Sequence, residues 1–303
     1  MAAVLCALTA ITLIANGKAD LTQLTCQQAL EMARTTGVDR LDAHLLLLHA
    51  LSKTESDRAW LLAHDGDTLE QSVATTFRAL TLRRAAGEPL AYIVGYKEFF
   101  GLTLTVDSRV LVPRPDTETL VEWSLEVLRL QTTPATLDIA DLGTGSGAVA
   151  LAIAHSLKAQ ARLAQIVAVD ASRDALDVAR ANAKELALEV RFVQSHWLEA
   201  VSGNFHLIAS NPPYVAAGDP HLAALVHEPL EALAAGADGF DDIRQIVRQA
   251  PDSLHSGGWL LLEHGYDQAD AVCQLLAREG FRQVQSRFDL AGIARCTGGQ
   301  WSG

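Results

Sequence analysis

Apolar positions recur at helical spacing across residues 25–86. Thr25 is placed to cap a helix that runs through Gln27, Ala29, Leu30 and Met32 and ends before Gly37. A second helix is predicted over 40–51, where Asp42-Ala-His-Leu-Leu-Leu-Leu-His is apolar on most sides and therefore suited to burial. A third is predicted over 69–84, and no strand signal interrupts the stretch. Residues 88–112 change character. Ala91-Tyr-Ile-Val-Gly and Phe99-Phe-Gly-Leu-Thr-Leu-Thr-Val are aromatic and β-branched, with Gly101 and Asp107-Ser108 as punctuation. They predict a β-hairpin linking two domains, after which Val112-Pro-Arg-Pro-Asp-Thr-Glu leads into a helix over 117–130.

Beyond residue 135 short apolar strands alternate with helices. The strands are predicted at 136–142, 165–170, 190–194, 205–210 and 258–263, with helices over 148–157 and 171–186 between the first three. In the second of these helices Leu176, Ala179, Ala183 and Leu186 share one face. This is the pattern of an α/β fold with a doubly wound, mainly parallel sheet, whose ligand belongs at the carboxyl ends of the strands. Two late segments, 281–288 and 292–296, are expected to close the sheet as an antiparallel pair. The resulting organisation is a helical domain over 1–87, a hairpin linker over 88–112 and the sheet domain over 113–303.

Composition narrows the function. With 303 residues, 49% of them apolar, the chain can bury one good-sized core and a smaller second one. Its formal charge of -12 argues against a protein built to grip nucleic acid, because that affinity comes from Lys and Arg against phosphates. Cys6, Cys26, Cys273 and Cys296 show no C-x-x-C spacing, and no His cluster completes a zinc pattern. Neither a metal nor a disulfide framework is expected, and free thiols suit a reducing cytoplasm. Residues 1–17 are uncharged and apolar, like the core of a signal peptide, but no basic residue precedes them. They also fall short of the roughly 20 apolar residues that span a bilayer. A first helix or an extension from an early start codon is expected there, not a membrane anchor.

The first sheet strand ends in Asp138-Ile-Ala-Asp-Leu-Gly-Thr-Gly-Ser-Gly and opens a helix. Gly143, Gly145 and Gly147 permit a tight turn and close approach of a ligand, and the helix N-terminus behind them favours an anionic group. The second strand ends in Val167-Ala-Val-Asp, which puts the Asp170 carboxylate where it can accept both ribose hydroxyls. The pair suits NAD and S-adenosylmethionine about equally.

The fourth strand ends Leu207-Ile-Ala-Ser-Asn-Pro-Pro-Tyr, and hydride transfer has no use for Asn-Pro-Pro-Tyr at that place. Methyl transfer to a planar, weakly basic NH2 group does. An amide nitrogen is a poor nucleophile because its lone pair is delocalised into the carbonyl. Acceptors for both of its N–H groups position it and enrich it in electrons. Asn211 Oδ1 can take one proton donor and the Pro212 carbonyl the other, while Pro212 and Pro213 stiffen the loop. Tyr214 offers a flat face to a planar amide or purine. Alignment of the nitrogen with the S–CH3 bond can supply up to about 7–11 kcal/mol of barrier lowering.

With these residues in view, the chain from about residue 25 onward resembles the glutamine-N5 protein methyltransferases of the HemK/PrmC type. Arg83-Arg-Ala-Ala-Gly-Glu-Pro-Leu-Ala-Tyr-Ile-Val-Gly is similar to the family's linker entry, and Val112-Pro-Arg-Pro-Asp-Thr-Glu to its release-factor branch. The ribosomal-protein branch tends to carry Pro-Arg-Ser-Pro at that place. The resemblance implies a helical N-terminal domain, a hairpin linker and a Rossmann-like class I methyltransferase domain. It implies S-adenosylmethionine as cofactor and, as substrate, the glutamine of the Gly-Gly-Gln motif in peptide chain release factors. By the same resemblance Gly143, Thr144, Gly145, Ser146 and Gly147 contact the cofactor, Asp170 holds its ribose and Trp197 lies beside the adenine. Asn211 touches cofactor and substrate, and Asn211, Pro212, Pro213 and Tyr214 receive the glutamine. A cytoplasmic monomer without nucleic-acid or membrane partners is expected.

One departure stands out. The family usually has Asp before this tryptophan, able to accept from the adenine amino group, and here the residue is His196. A neutral imidazole accepts less strongly than a carboxylate. Near the carboxyl end, Gly298-Gly-Gln spells the substrate motif, which reads as coincidence in so short a glycine-rich string. Three other readings compete. An adenine-N6 or cytosine-N4 nucleic-acid methyltransferase uses a similar motif but needs a basic surface for its phosphates. A ribosomal-protein glutamine methyltransferase is disfavoured by Arg114-Pro-Asp-Thr-Glu. An inactive cofactor-binding scaffold is disfavoured by the intact glycine loop, Asp170 and Asn-Pro-Pro-Tyr.

Overall fold

Thr25 opens the first described helix with a reciprocal cap: its hydroxyl accepts from the Gln28 amide while the Gln28 side chain accepts from the Thr25 amide. The computed structural model describes residues 24–131 and 135–303, so the readings of residues 1–17 and of Cys6 lie outside the described residues. The chain divides into two compact units between Gly95 and Tyr96.

The first unit is helical. Its helices are α1 (Cys26–Thr35), α2 (Arg40–Ala50), α3 (Arg58–Ala63), α4 (Gln71–Ala85) and α5 (Leu90–Val94). Leu46, Leu47 and Phe77 fill its centre, and Arg84 on α4 reaches Asp42 on α2 at 2.6 Å. Residues 91–95, expected as strand from their aromatic and β-branched content, are helical instead. Pro89 stands at the N-cap and Gly95 ends the turn in a left-handed conformation, its amide donating to the Ala91 carbonyl. Five residues between Pro and Gly are too few for periodicity to separate the two structures, and Ala91, Tyr92 and Ile93 are all buried. The hairpin is therefore confined to β1 (Tyr96–Phe99) and β2 (Leu102–Thr105), within the second unit.

Helix α6 (Glu118–Leu130) leads into the sheet domain. There follow β3 (Thr136–Leu142), α7 (Ala148–Ala159), β4 (Leu163–Asp170), α8 (Arg173–Glu185), β5 (Arg191–Gln194) and β6 (Phe205–Ser210). The chain then passes through α9 (Asp241–Gln249), β7 (Leu254–Glu263), α10 (Ala269–Arg278), β8 (Arg282–Phe288) and β9 (Ala294–Gln300). The seven-stranded sheet has the order β5-β4-β3-β6-β7-β9-β8, parallel through β7 and antiparallel at β9 and β8. Its central strands are apolar on both faces, as burial on both sides requires. Leu137, Ile139, Leu207, Ala209 and Leu261 pack with Trp123 and Leu151 of α6 and α7. Ala140, Leu142, Ile208, Leu260 and Leu262 pack with Ile243, Ile246, Val272 and Leu276 of α9 and α10. Among the described residues no helix is long and apolar enough to cross a membrane.

The last strand runs four residues past its expected end at 296, because Gly298 and Gly299 read as breakers but are demanded by packing. A Cβ on Gly298 would stand 2.7 Å from the Leu260 carbonyl oxygen and 2.9 Å from the Trp123 ring. The Gly-Gly-Gln string is thus an interior strand, paired with β7 on one side and β8 on the other. The Gln300 amide is engaged at both ends: it donates to the Gly257 carbonyl at 3.0 Å and accepts from Gln283 at 2.6 Å. Gly298→Ala is expected to destabilise the protein by about 1–3 kcal/mol through overpacking, read as a lowered midpoint in urea unfolding.

Candidate active site

The sheet's strand order reverses at β3, between β4 and β6, so the carboxyl ends of these strands open a crevice. The glycine loop fills its floor. Gly143 and Gly147 have φ of 69° and 87°, and a Cβ on them would come within 3.2 Å of the Trp197 ring and 2.9 Å of Leu151 respectively. Behind the loop lies Asp141, whose carboxylate accepts from the Thr144 hydroxyl at 2.6 Å and from the Ala150 amide at 3.1 Å. Burial pushes its pKa up to about 6. Asp170 ties the loop to the second strand, accepting from the Gly145 amide and the Ser172 amide, both at 2.9 Å. Burial raises its pKa too, and each oxygen keeps a lone pair for a ligand hydroxyl. On the far side, Asn182 of α8 donates to the Ser146 carbonyl at 2.9 Å and pairs with both backbone groups of Thr105, so β2 braces the same loop.

A cavity of about 800 Å³ opens above this floor. Gly143, Thr144, Gly145, Ser146, Asp170, Trp197, Asn211 and Pro213 line it. The remaining residues singled out by the sequence stand behind the walls. Gly147 supports the loop, Pro212 is buried, and Tyr214 packs among the core residues of α9 and α10. Trp197 adopts φ of 50°, and its indole N–H donates to Asp242 at 3.1 Å; Asp242 lines the cavity as well. The His196 ring is half exposed and has Gln245 at 3.1 Å and Glu199 at 3.5 Å from Nδ1. Nothing in the sequence pattern pointed to Asp141, Asn182 or Asp242 as parts of this region.

The stretch from Val112 to Glu118 forms the facing wall, and its polar side chains are each committed. Arg114 donates to Glu228 at 2.5 Å, Asp116 faces Arg295 at 3.1 Å, and Glu118 accepts from the Phe100 amide at 3.1 Å. Thr117 accepts from Asn211 Nδ2 at 3.1 Å. That bond engages one N–H of the Asn211 amide, and both residues line the cavity. Close by, at the end of β7, Glu263 is buried, and its pKa is pushed up to about 7 by burial.

Elsewhere on the sheet, the fold gathers Asp138, His206 and His255 from three neighbouring strands, with potential ligand atoms within 4.8 Å of one another. The sequence shows no such cluster because its members are far apart along the chain. His206 Nδ1 already accepts from the Asp138 amide at 3.0 Å, and burial together with His255 lowers its pKa. A neutral ring with its free lone pair spent on a backbone amide is a hydrogen-bonding group, and no metal is assigned to it.

Residues 124–285 match the Methyltransferase small domain and residues 23–95 the PrmC N-terminal domain. A release factor glutamine methyltransferase of Coxiella burnetii is 45% identical over 267 residues, covering 88% of this chain and 93% of that one. The chain belongs to the release factor glutamine methyltransferase family. The Bordetella pertussis member of the family is also 45% identical, over 87% of this chain and 95% of its own. The hMettl16 catalytic domain, solved with MAT2A 3'UTR hairpin 6, shares the fold with a TM-score of 0.52 at 15% identity, over 75% of this chain and 81% of that one.

The family's methyl donor is S-adenosylmethionine, and the residues of the crevice fit it. The Cβ-free cradle at Gly143 admits a ligand beside Trp197, Asp170 stands ready for ribose hydroxyls, and the cavity falls within the usual range of roughly 300–1,000 Å³ for small-molecule sites.

Asp141 yields a prediction about pH. A carboxyl whose folded pKa exceeds its unfolded value binds more protons when folded, so its contribution to stability falls as pH rises through that interval. Relative to Asp141→Asn, the native protein should lose about 2 kcal/mol of unfolding free energy between pH 4 and pH 6. Paired urea titrations across that interval measure it.

Proposed function

We propose that the chain transfers the methyl group of S-adenosylmethionine to the side-chain amide N5 of the glutamine in the Gly-Gly-Gln motif of peptide chain release factors. The observation that carries this reading is the Asn211–Thr117 bond, which holds a cavity-lining asparagine amide at the carboxyl end of β6. The family relationship supports a release factor glutamine as substrate, since the relatives in Coxiella burnetii and Bordetella pertussis carry that in their names.

The bound cofactor supplies an electrophilic methyl group on sulfur. The chain's task is to hold a weak nucleophile in line with it. Asn211 Oδ1 accepts one N–H of the substrate amide, and the backbone carbonyl of Pro212, a buried residue set between the lining residues Asn211 and Pro213, accepts the other, which directs the nitrogen lone pair toward the methyl carbon. The prolines at 212 and 213 hold these acceptors in place before substrate arrives. The alkylated amide is strongly acidic and releases its proton to water, so no strong base is required of the protein. Every group in this scheme comes from one chain, so a monomer suffices, and the reaction belongs in the cytoplasm with its substrate. The charge of -12 supports a protein substrate over a nucleic acid.

Asn211→Ala should bind S-adenosylmethionine within a few-fold of the native protein while turnover falls by about two orders of magnitude or more. Asp170→Ala should chiefly raise the cofactor concentration needed. Incubation with labelled S-adenosylmethionine and purified release factors, followed by peptide mapping, should place label on the Gly-Gly-Gln peptide. Label found only on added DNA or RNA would overturn the assignment.

A further inference from the structure

We infer that Asp242 recognises the adenine of the cofactor, accepting a hydrogen bond from its exocyclic amino group at the Trp197 end of the cavity. The inference rests on the family's use of S-adenosylmethionine and is independent of which group receives the methyl.

The adenine of S-adenosylmethionine is joined directly to its ribose. With the ribose on Asp170, the adenine must lie against the residues next to that carboxylate, and the end of β5 delivers them. The Ser195 amide donates to the Asp170 carbonyl at 3.1 Å, and Ser195, His196 and Trp197 all line the cavity. Helix α9 holds this segment with three residues that share one face at i, i+3 and i+7. Asp242 accepts from the Trp197 indole, Gln245 faces His196, and Gln249 accepts from the Leu198 amide at 3.0 Å. Trp197 is held at φ of 50°, a left-handed conformation that its surroundings must impose on an aromatic residue.

Two cavity-lining side chains here, His196 and Asp242, could meet an amino group, and their hydrogen bonds separate them. Gln245 Nε2 lies 3.1 Å from His196 Nδ1 and donates to Glu199 at 3.3 Å. An amide nitrogen only donates, so His196 Nδ1 accepts and the ring's proton sits on Nε2. His196 therefore offers a ligand a donor, which is of no use to the protons of an amino group. Asp242 is the opposite case. A carboxylate only accepts, and the indole N–H engages Oδ1 at 3.1 Å, which leaves Oδ2 for a ligand. The acceptor that position 196 lacks is thus supplied from α9.

Calorimetry on the purified full chain tests this, comparing S-adenosylhomocysteine with S-inosylhomocysteine, in which a carbonyl oxygen replaces the amino group. The ratio of the two Kd values isolates the amino contact, because a general loosening of the site weakens both ligands alike. Native protein should prefer the adenine ligand by about tenfold or more. In Asp242→Asn the indole N–H still claims Oδ1, which turns Nδ2 toward the ligand as a donor. The preference should then invert toward S-inosylhomocysteine. Asp242→Ala should bring the two Kd values to within about threefold of each other, and His196→Ala should keep the native ratio within about threefold. An unchanged ratio in Asp242→Asn, or a ratio lost in His196→Ala, overturns the inference. Methylation of the Gly-Gly-Gln peptide plays no part in this readout, so the inference and the proposed function fail separately.

Discussion

The 3.1 Å hydrogen bond from Asn211 to Thr117 joins the end of β6 to the start of α6 across 94 residues of sequence. Its geometry depends on both segments being held independently. Ser210, just before Asn211, donates to the Leu142 carbonyl at 2.7 Å and so locks the end of β6 to the end of β3. On the other side, the Arg114–Glu228 and Asp116–Arg295 pairs anchor the chain on either flank of Pro115. The Asn211 side chain is consequently tied to both segments, the preorganisation that its proposed role calls for.

Two buried acids accompany this geometry, and both have pKa values raised by burial. Neither is how a sequence selected for stability alone would fill a core, since taking a carboxyl out of water is unfavourable. Their positions explain their presence. Asp141 gathers the Thr144 hydroxyl and the first turn of α7, and Glu263 is buried at the end of β7. Stability is spent where the crevice needs rigid, directional groups.

Much of the fold was legible in the sequence because it is governed by local periodicity. The limits of β3 and β6 coincide with the apolar runs at 136–142 and 205–210, and the glycine loop and Asp170 fall where the strand ends put them. Legibility failed where a partner lies far along the chain. Thr117, Asp242 and Asn182 belong to the crevice or its support only because the sheet order brings their strands and helices together, and no spacing rule records that. Chemistry also outran identity within the motif itself. Asn-Pro-Pro-Tyr marks the right strand end, yet Tyr214 packs into the core behind the crevice and not along its wall. The segment at 91–95 failed for a different reason, being too short for its composition to outweigh Pro89 and Gly95.

The Gly-Gly-Gln string in β9 acquires a meaning beyond packing. A glutamine tethered to its own catalyst is presented at an effective concentration of about millimolar, well above most free protein substrates. Under the proposed function, residues 298–300 left in an open loop would be a resident competitor for the crevice. Zipped between two strands, with both ends of the Gln300 amide occupied, they have no backbone or side chain to offer. Under the proposed function, recognition of the motif turns on its presentation, and the antiparallel closure of the sheet withholds this copy from the crevice.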